Sequence, residues 1–156
     1  MPNNLTLDLA NRFREVILNG TWIANTNWKK ELLQTDFDEA TTQVKNLNRI
    51  CDLCFHIKYY ISGINDFFRS GNLVIKDNLS FNCPPLHNES EWNALRSELF
   101  QEAEVFASFV EQLSEQQISS TFFDPKYGTY YRNIEAQIEH AYYHLGQIVL
   151  IKKLIQ

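Results

Sequence analysis

The sequence lacks several features that would place it in a specialised class of protein. Its 156 residues contain no run of about 18 apolar residues, so no segment is predicted to span a membrane. Lysine and arginine are scattered and the formal net charge is −5, which argues against binding to a phosphate backbone. The N-terminus has no basic, apolar signal region, so we expect a cytoplasmic protein. Neither a nucleic acid nor a membrane is an expected partner.

Cysteine is also scarce. The three cysteines, Cys51, Cys54 and Cys83, cannot form a closed set of disulfides and are predicted to be free thiols. The spacing Cys51-x-x-Cys54 occurs in zinc and redox sites, but on a helical wheel both sulfurs lie about 140–160° from His56. No βαβ pattern supports thioredoxin chemistry either. We therefore assign no site to this pair.

What the sequence does have is helical periodicity, without any long alternation of apolar and polar residues. Its length suits one domain, residues 1–156, with a single core. Residues 21–37 are expected to be a loop with room for one short helical turn. The pattern predicts an all-α four-helix bundle. The first helix is expected over 5–18 and the fourth over 129–155. The second should run from a cap at Asp36 or Asp38 to Gly71, and the third from a cap at Asn88 or Ser90 to Leu113.

The longest predicted connection covers residues 72–89. It contains Cys83-Pro84-Pro85, where the prolines forbid helix and favour extended backbone. About eighteen residues are enough to cross from one end of a small bundle to the other. The second and third helices can therefore run parallel, in an up-down-down-up order. Gly20 is expected to end the first helix in a left-handed conformation.

Three of the four histidines fall on inward faces of two predicted helices. His140 and His144 are one helical turn apart, and His56 stands at the edge of an apolar stripe. The wedge opposite the pair is charged: Arg132, Glu135, Glu139 and Lys153. Three neutral imidazoles with open positions match a catalytic metal site, whereas the alternative is a set of buried, hydrogen-bonded histidines. A zinc-protease site is excluded because Ala141 occupies the place of the general-base glutamate.

Imidazole ligands admit zinc or nickel, which we favour, and also iron or manganese. Four polar residues are candidates for the pocket or for an outer shell around the ligands: Glu102, Asn133, Gln137 and Gln147. Glu102 can orient a ligand histidine or reach solvent along its stem, and the amides can line a pocket or bond within the bundle. His87 is expected to be exposed. The aromatic neighbours are expected only to pack: Tyr59, Tyr60 and Tyr143.

Four segments carry a family pattern: Leu53-Cys54-Phe55-His56-Ile57, Asp124-x-x-Tyr127-Gly128, Tyr131-Arg132-Asn133-Ile134-Glu135, and Ile138-Glu139-His140-x-x-Tyr143-His144-Leu145-Gly146-Gln147-Ile148. Together they resemble the DinB-like (YfiT-related) superfamily of metal-binding four-helix bundles, over nearly the whole chain. The closing His-x-x-x-His-x-Gly-Gln is the diagnostic part. The segment around His56, on the first helix that supplies a ligand, and the loop segment from Asp124 to Gly128 match more loosely.

The resemblance implies parallel second and third helices, a metal centre with ligands at His56, His140 and His144, and a homodimer. Characterised relatives include S-transferases that use bacillithiol or mycothiol, among them a maleylpyruvate isomerase. We therefore expect a divalent-metal-dependent S-transferase that joins a small-molecule substrate to a low-molecular-weight thiol. The alternatives are a metal-dependent hydrolase and a non-catalytic metal-binding or sensing scaffold, whose pocket would be plugged by side chains such as Trp22 or Phe123.

Overall fold

The computed structural model describes residues 4–156, and the all-α prediction is confirmed for them. The helices are α1 (Leu5–Arg14), α2 (Trp28–Leu33), α3 (Phe37–Thr41), α4 (Ile50–Ser70), α5 (Glu89–Glu111), α6 (Glu115–Ser119) and α7 (Tyr130–Ile155). Shorter turns are π-helical at Glu15–Asn19 and 3-10 helical at Asp77–Leu79 and Pro125–Tyr127. Between residues 4 and 156, no helix combines the length and the apolarity that crossing a bilayer requires.

The first helix extends as predicted, but the role of its terminal glycine differs. The Asn4 side chain caps α1, and a π-helical turn continues the helix to Asn19. Gly20 has a φ of −97°, which is extended rather than left-handed, so the predicted conformation was wrong. A Cβ atom at this position would lie 1.9 Å from the Cγ of Glu15. Glycine is needed here because the backbone passes so close to the π-helical turn.

The predicted start of the second helix was also wrong, because two helices replace one. Asp36 caps α3 as expected, but the Thr41 hydroxyl donates to a carbonyl one turn earlier and the helix ends there. Lys45 then adopts a φ of 50°, which lies outside the range of a right-handed α-helix, so the helix cannot continue through this residue. The helix α4 starts afresh, with the Asp52 carboxylate accepting the backbone N–H of Arg49.

The segment before α3 contains the short helical turn that the sequence predicted, namely α2. Its first residue, Trp28, is fully buried. The indole N–H of Trp28 donates to the backbone carbonyl of Ala141 over 2.9 Å. This buried bond holds α2 against α7 at the residue next to His140.

The helices α4 and α7 pack against each other in opposite directions. His56 of α4 contacts His140 and His144 of α7, whereas Phe67, three turns later, contacts Tyr130 at the start of α7. Residue numbers therefore rise along α4 as they fall along α7. This antiparallel contact brings the middle of α7 to the first half of α4.

The helices α4 and α5 are joined by the long crossover, residues 71–88. Gly71 ends α4 where the sequence predicted, with a left-handed φ of 75°. Lys58 pairs with Glu98, and Asn65 further along α4 donates to the Glu102 side chain over 2.7 Å. Residue numbers rise together along the two helices, so the crossover carries the chain back along the whole of α4.

The buried apolar side chains form one continuous cluster to which all four long helices contribute. Its largest members with almost no exposed surface are Trp28, Trp92, Phe13 and Phe106. A fully buried side chain of this kind stabilises a fold by about 1.5–3 kcal/mol. The helices that carry the histidines are therefore held in place by this cluster rather than by the histidines themselves.

Candidate metal centre

The three histidines predicted from the sequence lie together at the contact between α4 and α7. His56 is in the second turn of α4, and His140 and His144 are in successive turns near the middle of α7. Only 6% of the surface of His56 and of His144 is exposed, and His140 is half-buried. The two helices thus direct all three imidazoles towards one another.

The Nε2 atoms converge. His140 Nε2 lies 3.0 Å from His56 Nε2 and 2.9 Å from His144 Nε2. Nitrogen ligands held about 2.0–2.1 Å from one ion are separated from each other by roughly 3.0–3.4 Å, depending on the angle between them. One ligand atom from each of the three histidines lies within 4.8 Å of the other two. The three side chains could therefore hold one metal ion.

Hydrogen bonding alone does not account for this convergence. A ring nitrogen has a single in-plane direction, in which it either donates one hydrogen or accepts one. His140 Nε2 can therefore form a good bond with only one of its two neighbours, although both lie within 3.0 Å. The remaining nitrogen would be left unpaired in a buried place, which costs free energy. A shared cation would engage all three lone pairs at once.

Two of the rings are oriented through their other nitrogen. His56 Nδ1 lies 3.3 Å from the carbonyl oxygen of Ser80, and His144 Nδ1 lies 2.6 Å from the side-chain oxygen of Gln147. Because these oxygens only accept hydrogen bonds, each Nδ1 carries the proton. The Nε2 lone pair then points at the shared space, in the tautomer that a metal ligand requires.

Burial keeps the imidazoles neutral. It lowers the pKa of His56 to about 4, with further lowering from the positive charge that His140 and His144 would carry. Burial, and then the charge of His144, also lowers the pKa of His140 to about 4. The pKa of His144 is lowered by burial too, although its bond to Gln147 acts in the opposite direction. Neutral imidazoles are the form that binds metal, so the set is ready for a cation at pH 7.

Aromatic rings cover the histidines on the side of the crossover. Phe81 stacks on His56 with ring centroids 3.9 Å apart and planes 13° from parallel. Tyr60 meets His56 and His140 edge-on, at 5.1 and 5.4 Å, and its hydroxyl donates to Asp77. Tyr60, one turn from His56, was expected as a packing neighbour and is one. Phe81 was missed because it lies in a segment without periodicity.

Of the four candidate pocket or outer-shell residues, the structure brings Gln147 to the histidines and places two others elsewhere. Glu102 accepts from Asn65, which lies nine residues beyond His56, or about 13 Å along α4. The Asn133 amide donates to the carbonyls of two residues near the start of α7. Gln137 is half-buried, one turn before His140.

Three further predictions concern residues outside the cluster. His87 is exposed, as expected. Trp22, which we considered as a plug for the pocket, is 85% exposed. Phe123, the other candidate plug, lies edge-on to Phe67 at the far end of α4. The two side chains named as plugs for the scaffold alternative therefore do not lie at the histidines.

The chain was compared with models of protein families, with curated proteins and with solved structures, and nothing matched in any of the three. Membership of the DinB-like superfamily therefore stays a prediction from the sequence pattern. The positions of the donor atoms, their tautomers and their burial are what favour a metal site in this chain.

Proposed function

We propose that this protein is a DinB-like four-helix bundle in which His56, His140 and His144 bind a divalent metal ion, zinc or nickel before iron or manganese. The observation that carries the proposal is the convergence of three Nε2 atoms. In His56 and His144 the Nδ1 atom donates to an oxygen, which leaves the Nε2 lone pair available to a metal. The antiparallel α4–α7 contact and the rising numbers along α4 and α5 support an up-down-down-up bundle.

We further propose that the centre serves a metal-dependent S-transferase that uses a low-molecular-weight thiol. This step rests on the resemblance of the segment from His140 to Gln147. A divalent cation with three neutral ligands supplies positive charge that stabilises a thiolate near pH 7. The protein's own part is to hold the imidazoles neutral, to fix their tautomers through Ser80 and Gln147, and to limit water at the site with Phe81. The homodimer implied by the same resemblance belongs to this proposal.

Metal analysis of untagged protein tests the first step. Wild type is expected to bind one equivalent of zinc or nickel after dialysis, while His56→Ala and His144→Ala lose it. His87→Ala, an exposed histidine on the crossover, is the matched control and is expected to bind like wild type. Equal metal content in all four proteins would reject the site.

Turnover of a model electrophile tests the second step. The metal-loaded protein is incubated with the electrophile and a panel of thiols, and conjugation is measured against the His144→Ala variant. Thiol-dependent conjugation in wild type alone is the expected result. Hydrolysis of ester or amide substrates without any thiol would instead indicate a hydrolase. Metal binding with no turnover of either kind would indicate a scaffold, and light scattering reports the oligomeric state.

A further inference from the structure

A second cluster of reactive side chains lies at the start of α4. Cys51, in the first turn of the helix, and Cys83, in the crossover, bring their sulfur atoms together, and with an oxygen of Asp52 these atoms all lie within 4.8 Å of one another. All three cysteines are free thiols, as predicted. Cys51 is buried and Cys83 is half-buried. The pair therefore joins two segments that lie 32 positions apart in the sequence, unlike the Cys51-x-x-Cys54 spacing.

This cluster suits a reaction between the two sulfurs better than a second metal ion. The Asp52 carboxylate is already engaged by Arg49, whose Nε and Nη2 each donate to a separate oxygen over 2.8 Å. A metal ion at the sulfurs would sit beside this guanidinium and would be repelled by its charge. Without the carboxylate only two ligands remain, fewer than a closed zinc site has.

The two thiols differ in reactivity. The neighbouring Cys51 thiol lowers the pKa of Cys83 and the Arg49 charge acts in the same direction, whereas burial and the Asp52 charge act in the opposite one. Proximity to Cys83, followed by burial, raises the pKa of Cys51. Cys83 is thus the more acidic and the more accessible sulfur, and Cys51 is a neighbour within reach. An accessible thiolate next to a second cysteine is the arrangement that redox-sensitive pairs share.

We propose that Cys51 and Cys83 form a reversible intramolecular disulfide when the protein meets hydrogen peroxide. The Cys83 thiolate attacks one peroxide oxygen, so that an S–O bond forms, the O–O bond breaks and hydroxide leaves. The Cys51 sulfur then attacks the Cys83 sulfenic acid; the S–S bond forms, and the hydroxyl leaves as water with the Cys51 proton. Two electrons pass from the thiols to the peroxide, and an external thiol reverses the bond by exchange.

The disulfide would also affect the histidines. Cys83 is two residues after Phe81 and three after Ser80, the residues that cover and orient His56. Joining Cys83 to the first turn of α4 fixes this part of the crossover over the imidazole. Insofar as the proposed metal centre holds, oxidation is therefore expected to slow the loss of metal from it.

Peptide mapping of the whole protein tests the disulfide. Protein reduced with a phosphine and desalted is treated with one equivalent of peroxide, alkylated, and cleaved with trypsin without further reduction. The expected product joins peptide 50–58 to peptide 77–96, with a mass two hydrogens below their sum. Treatment with a phosphine should separate them. Recovery of Cys83 as a free thiol or as sulfinic acid, with no joined peptide, would overturn the proposal.

Peptide 50–58 also contains Cys54, so the partner has to be located. Cys54→Ser is the matched control and is expected to keep the joined peptide, whereas Cys51→Ser and Cys83→Ser lose it. Fragmentation of the wild-type product assigns the linked sulfur independently, in case Cys51→Ser fails to fold. A link that maps to Cys54 contradicts the pairing.

Release of zinc to a chelator tests the effect on the histidines. Oxidised wild type is expected to release zinc several-fold more slowly than reduced wild type, and Cys83→Ser is expected to release it equally fast with and without peroxide. Equal rates in oxidised and reduced wild type would contradict the coupling. If the metal centre itself fails, no zinc is bound in either state while the joined peptide still forms, so the two failures are distinguishable.

Discussion

The contact between α4 and α7 has two ends that are held together in different ways. One end, the aromatic end, is formed by Phe67, Phe122 and Tyr130, and the other, the histidine end, by His56, His140 and His144. Rings at the aromatic end lie 4.5 to 6.2 Å apart, and their attraction does not depend on the protonation of any of them. The histidine end would be weakened by protonation, because burial lowers the pKa of all three imidazoles. One pair of helices thus combines a permanent contact with a conditional one.

Removing the aromatic end should have the largest effect on stability and little effect on metal. Phe67 is almost completely buried, so Phe67→Ala is expected to lower the free energy of unfolding by about 3–5 kcal/mol. The folded protein should still bind one metal ion, because the histidines lie three turns away. Urea unfolding and metal analysis of the same sample measure the two quantities.

Phe123→Ala is the matched control for this comparison. Phe123 touches the same ring but is half-exposed, so its removal is expected to cost far less. If folded Phe67→Ala no longer bound metal, the two ends would not be independent.

A smaller effect is expected when the hydrogen bond between His144 and Gln147 is removed. Gln147→Leu removes the acceptor for His144 Nδ1 and should weaken metal binding by about 10–100-fold, as loss of such partners does elsewhere. Gln147→Glu restores an acceptor and should recover most of the affinity. The dissociation constants can be measured by competition with a coloured chelator.

Gln137→Leu provides the comparison on the same helix, since this half-buried glutamine lies one turn before His140. Its affinity for metal is expected to equal that of wild type. An equal loss in the two leucine variants would show that general polarity, rather than the bond to His144, supports the site.

The mildest effect is the pH dependence of the metal-free protein. His56 and His140 have a folded pKa of about 4, whereas an unfolded histidine titrates near 6.5. The unfolded chain therefore binds more protons between these values, and stability falls as pH drops from about 6.5 towards 4. Between pH 7 and pH 6 the expected loss is at most about 1 kcal/mol for each histidine.

Urea unfolding at a series of pH values measures this slope. His140→Gln should flatten it, because one of the buried groups is gone, and His87→Gln, which replaces an exposed histidine, is the matched control. If the free energy of unfolding of His140→Gln depended on pH as steeply as that of wild type, groups other than His140 would be responsible for the dependence.

The sequence predicted the parts of the fold that follow a period or a special backbone residue. The last helix and the end of α4 at Gly71 are as expected, because apolar spacing and a left-handed glycine are local signals. The break before α4 was missed because it depends on Thr41 and Lys45, neither of which interrupts the apolar pattern. Short helices such as α2 depend on tertiary burial, in this case of Trp28.

The site was predictable to the extent that it lies on helices. The inward direction of His140 and His144 follows from the charged wedge opposite them, and their meeting with His56 is what the structure adds. A helical wheel gives an angle but no height along the bundle, so it could not show that Glu102 lies level with Asn65. Ser80 and Phe81 lie in a crossover whose path no periodic pattern describes.

The wide spacing of the histidines in the chain also bears on how the protein matures. His56 and His140 are 84 positions apart, and α7 is synthesised well after α4. Closing so long a loop is entropically costly and has to wait for α7 to dock on α4. A nascent chain that lacks α7 presents one imidazole of the three. Binding of an ion at the proposed centre would therefore have to wait until α7 has docked on α4.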